Sequence, residues 1–236
     1  MKAHSENYLP AIRKTTHGLY SFGFYEPLSA ATLGAFVEIF QKGSYKASER
    51  LEGRAAPQFA SSPETGPVVI KFYKRGGWMS RLNRDIYLRT LRVRSRREFE
   101  CLAWAKKAGV SVPVPVAYAS HGLLWYRAWL ITREIPGHIP FVRFCVTQQE
   151  QSLRLIPEIA RHIRLLINAG IHHVDLHPGN VLVDQDRRIY LIDFDKARIR
   201  SSAGQALARK YQRRWARAVR KYRLPDIFAD LGLTEA

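Results

Sequence analysis

The chain has 236 residues, 46% hydrophobic and 11% aromatic, enough for a buried core and out of keeping with a wholly disordered or fibrous polypeptide. Its 38 lysines and arginines against 20 aspartates and glutamates give a formal charge of +18, which favours polyanionic partners such as nucleic acid, an anionic bilayer or a phosphorylated substrate without choosing among them. Two cysteines, Cys101 and Cys145, are too few and too far apart for a disulfide framework or a thiol metal site and fit a reducing cytoplasm; with neither a signal-peptide core nor about 18 consecutive apolar residues, export and a membrane span are not expected.

Taken in chain order, residues 21–40 mix apolar residues at roughly helical spacing with Pro27 and Gly34 and form a leading segment of mixed signal. The run PQFASSPETGP, 57–67, is dense in turn formers and feeds a short buried strand, VVIKFY. REFECLAWAKKAG has the spacing of a helix, with Phe99, Leu102, Ala103 and Lys106 in phase and Gly109 as its stop. The prolines of VPVPV, 112–116, impose extended backbone, and LLWYRAWLITREI reads as one or two further strands. Pro136-Gly137 marks an expected boundary between two parts, 1–135 and 136–236. A long amphipathic helix follows from about 148 to 169, despite Pro157, and ends at Gly170. NVLVD and IYLIDF flank the polar turn Gln185-Asp186-Arg187 as two short strands, and a last helix runs from about Gly204 to Arg223.

The span His172–Lys196, HHVDLHPGNVLVDQDRRIYLIDFDK, places Asp175, Asn180 and Asp193 around that hairpin. Phosphoryl transfer from ATP needs a carboxylate to orient the attacking hydroxyl and hard oxygen donors for magnesium. Isolated aspartates near turns are commonly solvated or capping residues; the joint spacing is what sets these apart. His172, His173 and His177 raise a zinc reading, but Pro178 and Gly179 break the continuous helix on which a four-residue histidine spacing would face one metal.

HVDLHPGN followed by LIDFD resembles the catalytic and metal-binding loops of protein-kinase-like enzymes. The resemblance implies an α+β, two-lobed fold, with a small antiparallel-sheet N-lobe over 1–135 and a reduced helical C-lobe over 136–236, and ATP held between them. It implies that Asp175 orients the acceptor hydroxyl, that Asn180 and Asp193 hold magnesium, that His173 supports the loop backbone, and that His177, in place of a frequent lysine, touches the transferred phosphate. Val174 stands where many regulated kinases have arginine, so no dependence on a phosphorylated activation loop is expected. Lys71 in VVIKFYKR matches the strand lysine that meets the nucleotide phosphates, though a lysine ending a strand is often only a surface residue. Glu98 is its expected helix partner and Glu100 the rival. No GxGxxG precedes Lys71; EGRAAPQF around Gly53 is the candidate phosphate-approaching loop, and Thr132 to Ile135 the adenine-side hinge.

KFYKRGGWMSRLNRDIYL and RSRREFECLAWAKKAGVSVPVPVAYA are similar to the lipopolysaccharide core kinase family, over about residues 43–200, and within it to the members acting on 3-deoxy-D-manno-octulosonic acid (Kdo). Lys74-Arg75-Gly76-Gly77 stands where the family commonly has RRGG. The resemblance implies ATP-dependent phosphorylation of a Kdo hydroxyl on the lipid A precursor, with magnesium, at the cytoplasmic face of the inner membrane. Heptose or another small-molecule or sugar hydroxyl is the alternative acceptor, and a basic nucleic-acid-binding protein the alternative outside enzymes, although no nucleic-acid motif accompanies the charge. Peripheral attachment to an anionic membrane fits the cluster Lys74–Arg97. The stripe Leu207, Tyr211, Trp215, Ala218 and Tyr222 of the last helix either packs inward or lies in the lipid interface. About 40 residues follow Asp195, too few for a polypeptide-binding subdomain, so a small or lipid-linked acceptor is expected.

Overall fold

The computed structural model describes residues 9–46, 57–73, 87–88, 93–123, 125–200 and 204–233, in an α+β, kinase-like arrangement. Gly53, the Lys74-Arg75-Gly76-Gly77 segment and the basic residues 81–92 lie outside the described residues. The chain divides into two compact units, the first of residues 1–100 and 114–134, the second of 101–113 and 135–236.

The first unit is a sheet with helices. Strands β1 (Arg13–His17) and β2 (Tyr20–Phe24) form a hairpin through Gly18, whose φ of 57° suits a residue without a Cβ. This hairpin and helix α1 (Ala30–Lys46) occupy the leading segment. Leu33, Phe36 and Phe40 recur three and four apart and are buried on one face of α1. Glu64 accepts hydrogen bonds from the Thr32 hydroxyl and from the backbone and hydroxyl of Ser29 at the helix start, which hold its carboxyl below the usual range. Strands β3 (Gln58–Ser62) and β4 (Gly66–Phe72) are a second hairpin, so the expected loop is itself half strand: β3 is an edge strand whose polar, alternating residues carry little hydrophobic signal. With β5 (Tyr87–Leu88), α2 (Arg94–Lys107), β6 (Pro115–His121) and β7 (Trp125–Arg133), the antiparallel order is β1-β2-β6-β7-β4-β3, and β5 pairs with β7. Phe22, Phe40, Val68, Ile70, Trp129 and Ile131 fill the core, with the Phe40 and Trp129 rings stacked at 4.5 Å. Each such side chain contributes about 2 kcal/mol on burial.

The second unit takes the end of α2, then β8 (Ile139–Pro140), α3 (Phe141–Thr147), α4 (Gln149–Asn168), β9 (Ile171–His172), a 3-10 turn Pro178–Asn180, β10 (Val181–Val183), β11 (Ile189–Leu191), β12 (Arg198–Ile199), α5 (Gly204–Lys221) and a 3-10 turn Asp226–Phe228. β8, β10 and β11 form one small antiparallel sheet, β9 and β12 another. The polar turn between β10 and β11 has Arg187 at φ 62°, with Asp184 Oδ1 accepting the backbone N–H groups of Asp186 and Arg188. α5 turns its apolar stripe inward: Leu207, Tyr211, Trp215 and Val219 are buried, and the Trp215 indole donates to the Phe228 carbonyl at 2.8 Å. Val219 rather than Ala218 completes that stripe, and Tyr222 stays partly exposed.

Candidate active site

In the first unit β4 delivers Lys71 and α2 delivers Glu98. The Lys71 ammonium lies 3.0 Å from both Glu98 oxygens, and the Tyr73 hydroxyl donates to the same carboxylate. Glu98 is 2% exposed, Lys71 34%. Such a buried carboxylate persists only with partners like these. Glu100, two residues on, faces another way and pairs with Arg96 at 2.8 Å. Ser95, Glu98 and Leu102, at i, i+3 and i+7, share the buried side of α2, and this phase makes Glu98 the residue paired with Lys71.

In the second unit Asp175, Asn180 and Asp193 are tied through the backbone. Asn180 donates its Nδ2 to the Asp175 carbonyl at 2.8 Å, and its own carbonyl accepts the N–H of Ile192, the residue before Asp193, at 3.0 Å. His173 closes the arrangement from beneath: fully buried, it reaches the Ile192 carbonyl with Nε2 at 2.9 Å and stands edge-on to Phe194. Burial pushes its imidazole down to about 4, against the hydrogen bond to Ile192 and the charges of Asp193 and Asp175, so it is neutral at physiological pH and Nε2 is the donor to Ile192. Asp193 has φ 63°, a left-handed backbone that costs roughly 1 kcal/mol outside glycine and turns the chain sharply after β11.

His177 caps the 3-10 turn: its Nδ1 accepts the Gly179 N–H at 3.1 Å, with the Tyr222 hydroxyl 3.5 Å away. Lys196, to which the sequence reading gave no role, places its ammonium 2.9 Å from Asp175 Oδ2. Tyr211 was read only as part of an apolar stripe, yet its hydroxyl accepts the His173 N–H at 2.7 Å and donates to the Ile171 carbonyl at 3.1 Å. The signal for Lys196 was its place one residue past LIDFD; nothing local in sequence marks Tyr211 as polar-bonded. Among the described residues no group of three or more histidines, cysteines, aspartates or glutamates is placed to hold a metal by itself.

A hydrogen-bonded loop carrying HVDLHPGN beside a turn carrying LIDFD is the pattern to which the family comparison adds its weight. The sequence model of the lipopolysaccharide kinase (Kdo/WaaP) family matches residues 40–221. The chain belongs to that family. As a Kdo/WaaP family member it has relatives called 3-deoxy-D-manno-octulosonic acid kinase. That of Vibrio cholerae is 34% identical over 148 residues, 61% of this chain and 62% of that protein. That of Vibrio vulnificus strain CMCP6 is 30% identical over 174 residues, 72% and 73%. That of Xylella fastidiosa strain M23 is 33% identical over 155 residues, 64% and 61%. The chain thus spans just under two thirds of the length of the Vibrio cholerae and Xylella fastidiosa proteins. In this Kdo/WaaP member both tied centres, Lys71–Glu98 and Asp175–Asn180–Ile192, fall inside the matched residues.

Proposed function

We propose that this Kdo/WaaP family kinase transfers the γ-phosphate of ATP to a hydroxyl of Kdo on the lipid A precursor. The observation that carries the reading is the bonding of Asn180 to both Asp175 and the residue before Asp193, which holds a carboxylate and two oxygen donors in one loop cluster. The names of the relatives support Kdo as the acceptor sugar.

In this reading Asp175 accepts the hydrogen bond of the acceptor hydroxyl and aligns it for in-line attack. Lys71, held by its pair with Glu98, contacts the nucleotide phosphates, a role the sequence also assigns to Gly53. His177 stands at the transferred phosphate, its ring oriented by the Gly179 N–H that Nδ1 accepts. The donor set fits magnesium: Asn180 spends its amide N–H on Asp175 and keeps Oδ1, and Asp193 adds a carboxylate. Two hard oxygens suit an ion otherwise held by phosphates and water. Magnesium, when bound, neutralises charge developing on the phosphates. Residues 1–135 then serve as nucleotide-binding lobe and 136–236 as catalytic lobe, working peripherally at the cytoplasmic face of the inner membrane.

The test is radiolabelled ATP with purified protein and three acceptors: Kdo-bearing lipid A precursor, heptosylated core and an aminoglycoside. Transfer to the first is expected, with Asp175→Asn lowering kcat on the order of 10²- to 10⁴-fold and Asp193→Ala weakening magnesium-dependent ATP binding. Transfer only to another acceptor, or full activity in Asp175→Asn, would refute it.

A further inference from the structure

The strand that leads into the catalytic loop is ringed by cations to which the phosphotransfer chemistry gives no task. β9 and β12 pair antiparallel with His172 opposite Arg198 and Ile171 opposite Ile199. Directly opposed residues project to one face, and Arg200, two further on, returns to it, its N–H bonded to the Gly170 carbonyl at 2.8 Å. From the other side α5 brings Lys210 and Arg214. Tyr211 between them clamps α5 to β9 through both of its hydroxyl bonds, and the Arg214 guanidinium donates to the His173 carbonyl at 3.4 Å.

Arg198, Arg200 and Lys210 are exposed and Arg214 half-buried; among the described residues none of the four forms an ion pair. Burial first, then the charges of Arg214, Lys210, Arg200 and Arg198, keep the His172 imidazole below its ordinary range. Its Nε2 is buried with no hydrogen-bond partner among the described residues. Like charges gathered this way repel, and the repulsion is relieved when an anion binds.

We propose that Arg198, Arg200, Lys210 and Arg214 form an anion-binding site that grips a phosphate or carboxylate group of the acceptor, beside the loop that carries Asp175. This rests on the kinase reading above and deepens it: the enzyme selects an acceptor bearing negative charge at a point other than the reacting hydroxyl. The acceptor itself, rather than bulk lipid, is the occupant, because Arg214 is fixed to the backbone of the catalytic loop while the cations remain confined to one strand pair and one helix edge. Guanidinium and ammonium groups bind phosphate and carboxylate by charge-assisted hydrogen bonds.

Arg198 and Lys210 are exposed, so the double variant Arg198→Gln, Lys210→Gln is expected to fold. It should raise the KM for the Kdo-bearing lipid about tenfold or more and leave the KM for ATP unchanged, with Arg198→Lys restoring much of the loss. The double variant should also sediment with phosphatidylglycerol-containing vesicles like the wild type. An unchanged acceptor KM, an equal rise in the KM for ATP, or loss of vesicle binding would each overturn the proposal; the last would reassign the cluster to bulk lipid. Should the wild-type protein fail to phosphorylate the Kdo lipid, the proposed function falls by itself. The cluster is then judged by calorimetry with inorganic pyrophosphate, with a non-hydrolysable ATP analogue present: weaker binding in the double variant sustains it, and equal binding overturns it.

Discussion

At the scale of single residues, His173 links stability to the site. Its side chain is buried and its pKa is held at about 4 against an ordinary 6.5. The unfolded chain therefore takes up a proton on this histidine as the pH falls through 6.5, while the folded protein does so only near 4. Stability is full above about 6.5, declines between 6.5 and 4, and is lower by about 3 kcal/mol at the acid end. Urea unfolding of the wild type and of His173→Gln across this range should show a steeper acid decline in the wild type, and parallel curves would exclude the assignment. The same scale shows what one residue of helix phase decides. Sequence spacing left Glu98 and Glu100 both open, since each lies near the start of α2; burial of the face that includes Ser95 and Leu102 places Glu98 against Lys71 and leaves Glu100 to Arg96.

At the scale of elements, the site depends on a two-residue strand pair with almost no sequence signature. β9 and β12 are too short to show alternation, and only Gly170 announces the turn that starts them. Gly170 has φ 66°, and a Cβ there would collide with the Arg200 carbonyl, a backbone atom with nowhere to go. Gly170→Ala is expected to cost roughly 2 kcal/mol or more, from left-handed strain and the displaced strand together, read as a lowered thermal midpoint. An unaltered midpoint would show the β9–β12 pair to be dispensable. The longer elements were legible because their periodicity runs over several turns: α4 and α5 announce themselves by apolar residues three and four apart. The N-terminal hairpin was not, because RKTTH is polar and YSFGF is followed within six residues by helical spacing, so two short periods blur into one.

At the scale of the whole molecule, the +18 charge and the inward apolar stripe of α5 bear on the proposed peripheral attachment to an anionic bilayer. Among the described residues no helix is long and apolar enough to cross a membrane. With Leu207, Tyr211, Trp215 and Val219 committed to packing, the outer face of α5 offers Arg209, Arg213 and Arg220 to solvent. Attraction of this kind contributes about 1 kcal/mol per cation near an anionic surface and decays over a Debye length of about 10 Å at 0.1 M salt. Co-sedimentation is expected with phosphatidylglycerol-containing vesicles, not with phosphatidylcholine alone, and is expected to disappear as salt is raised; retention at high salt would point to apolar insertion instead.

The inward packing of α5 has a consequence for the enzyme's traffic. In the peripheral reading proposed above, α5 contributes cations to the mooring and keeps its buried apolar stripe for packing, so the enzyme's hold through this helix would loosen whenever divalent cations crowded the headgroups. The enzyme could then return to a fresh patch of bilayer, visiting many acceptors in turn rather than dwelling beside one.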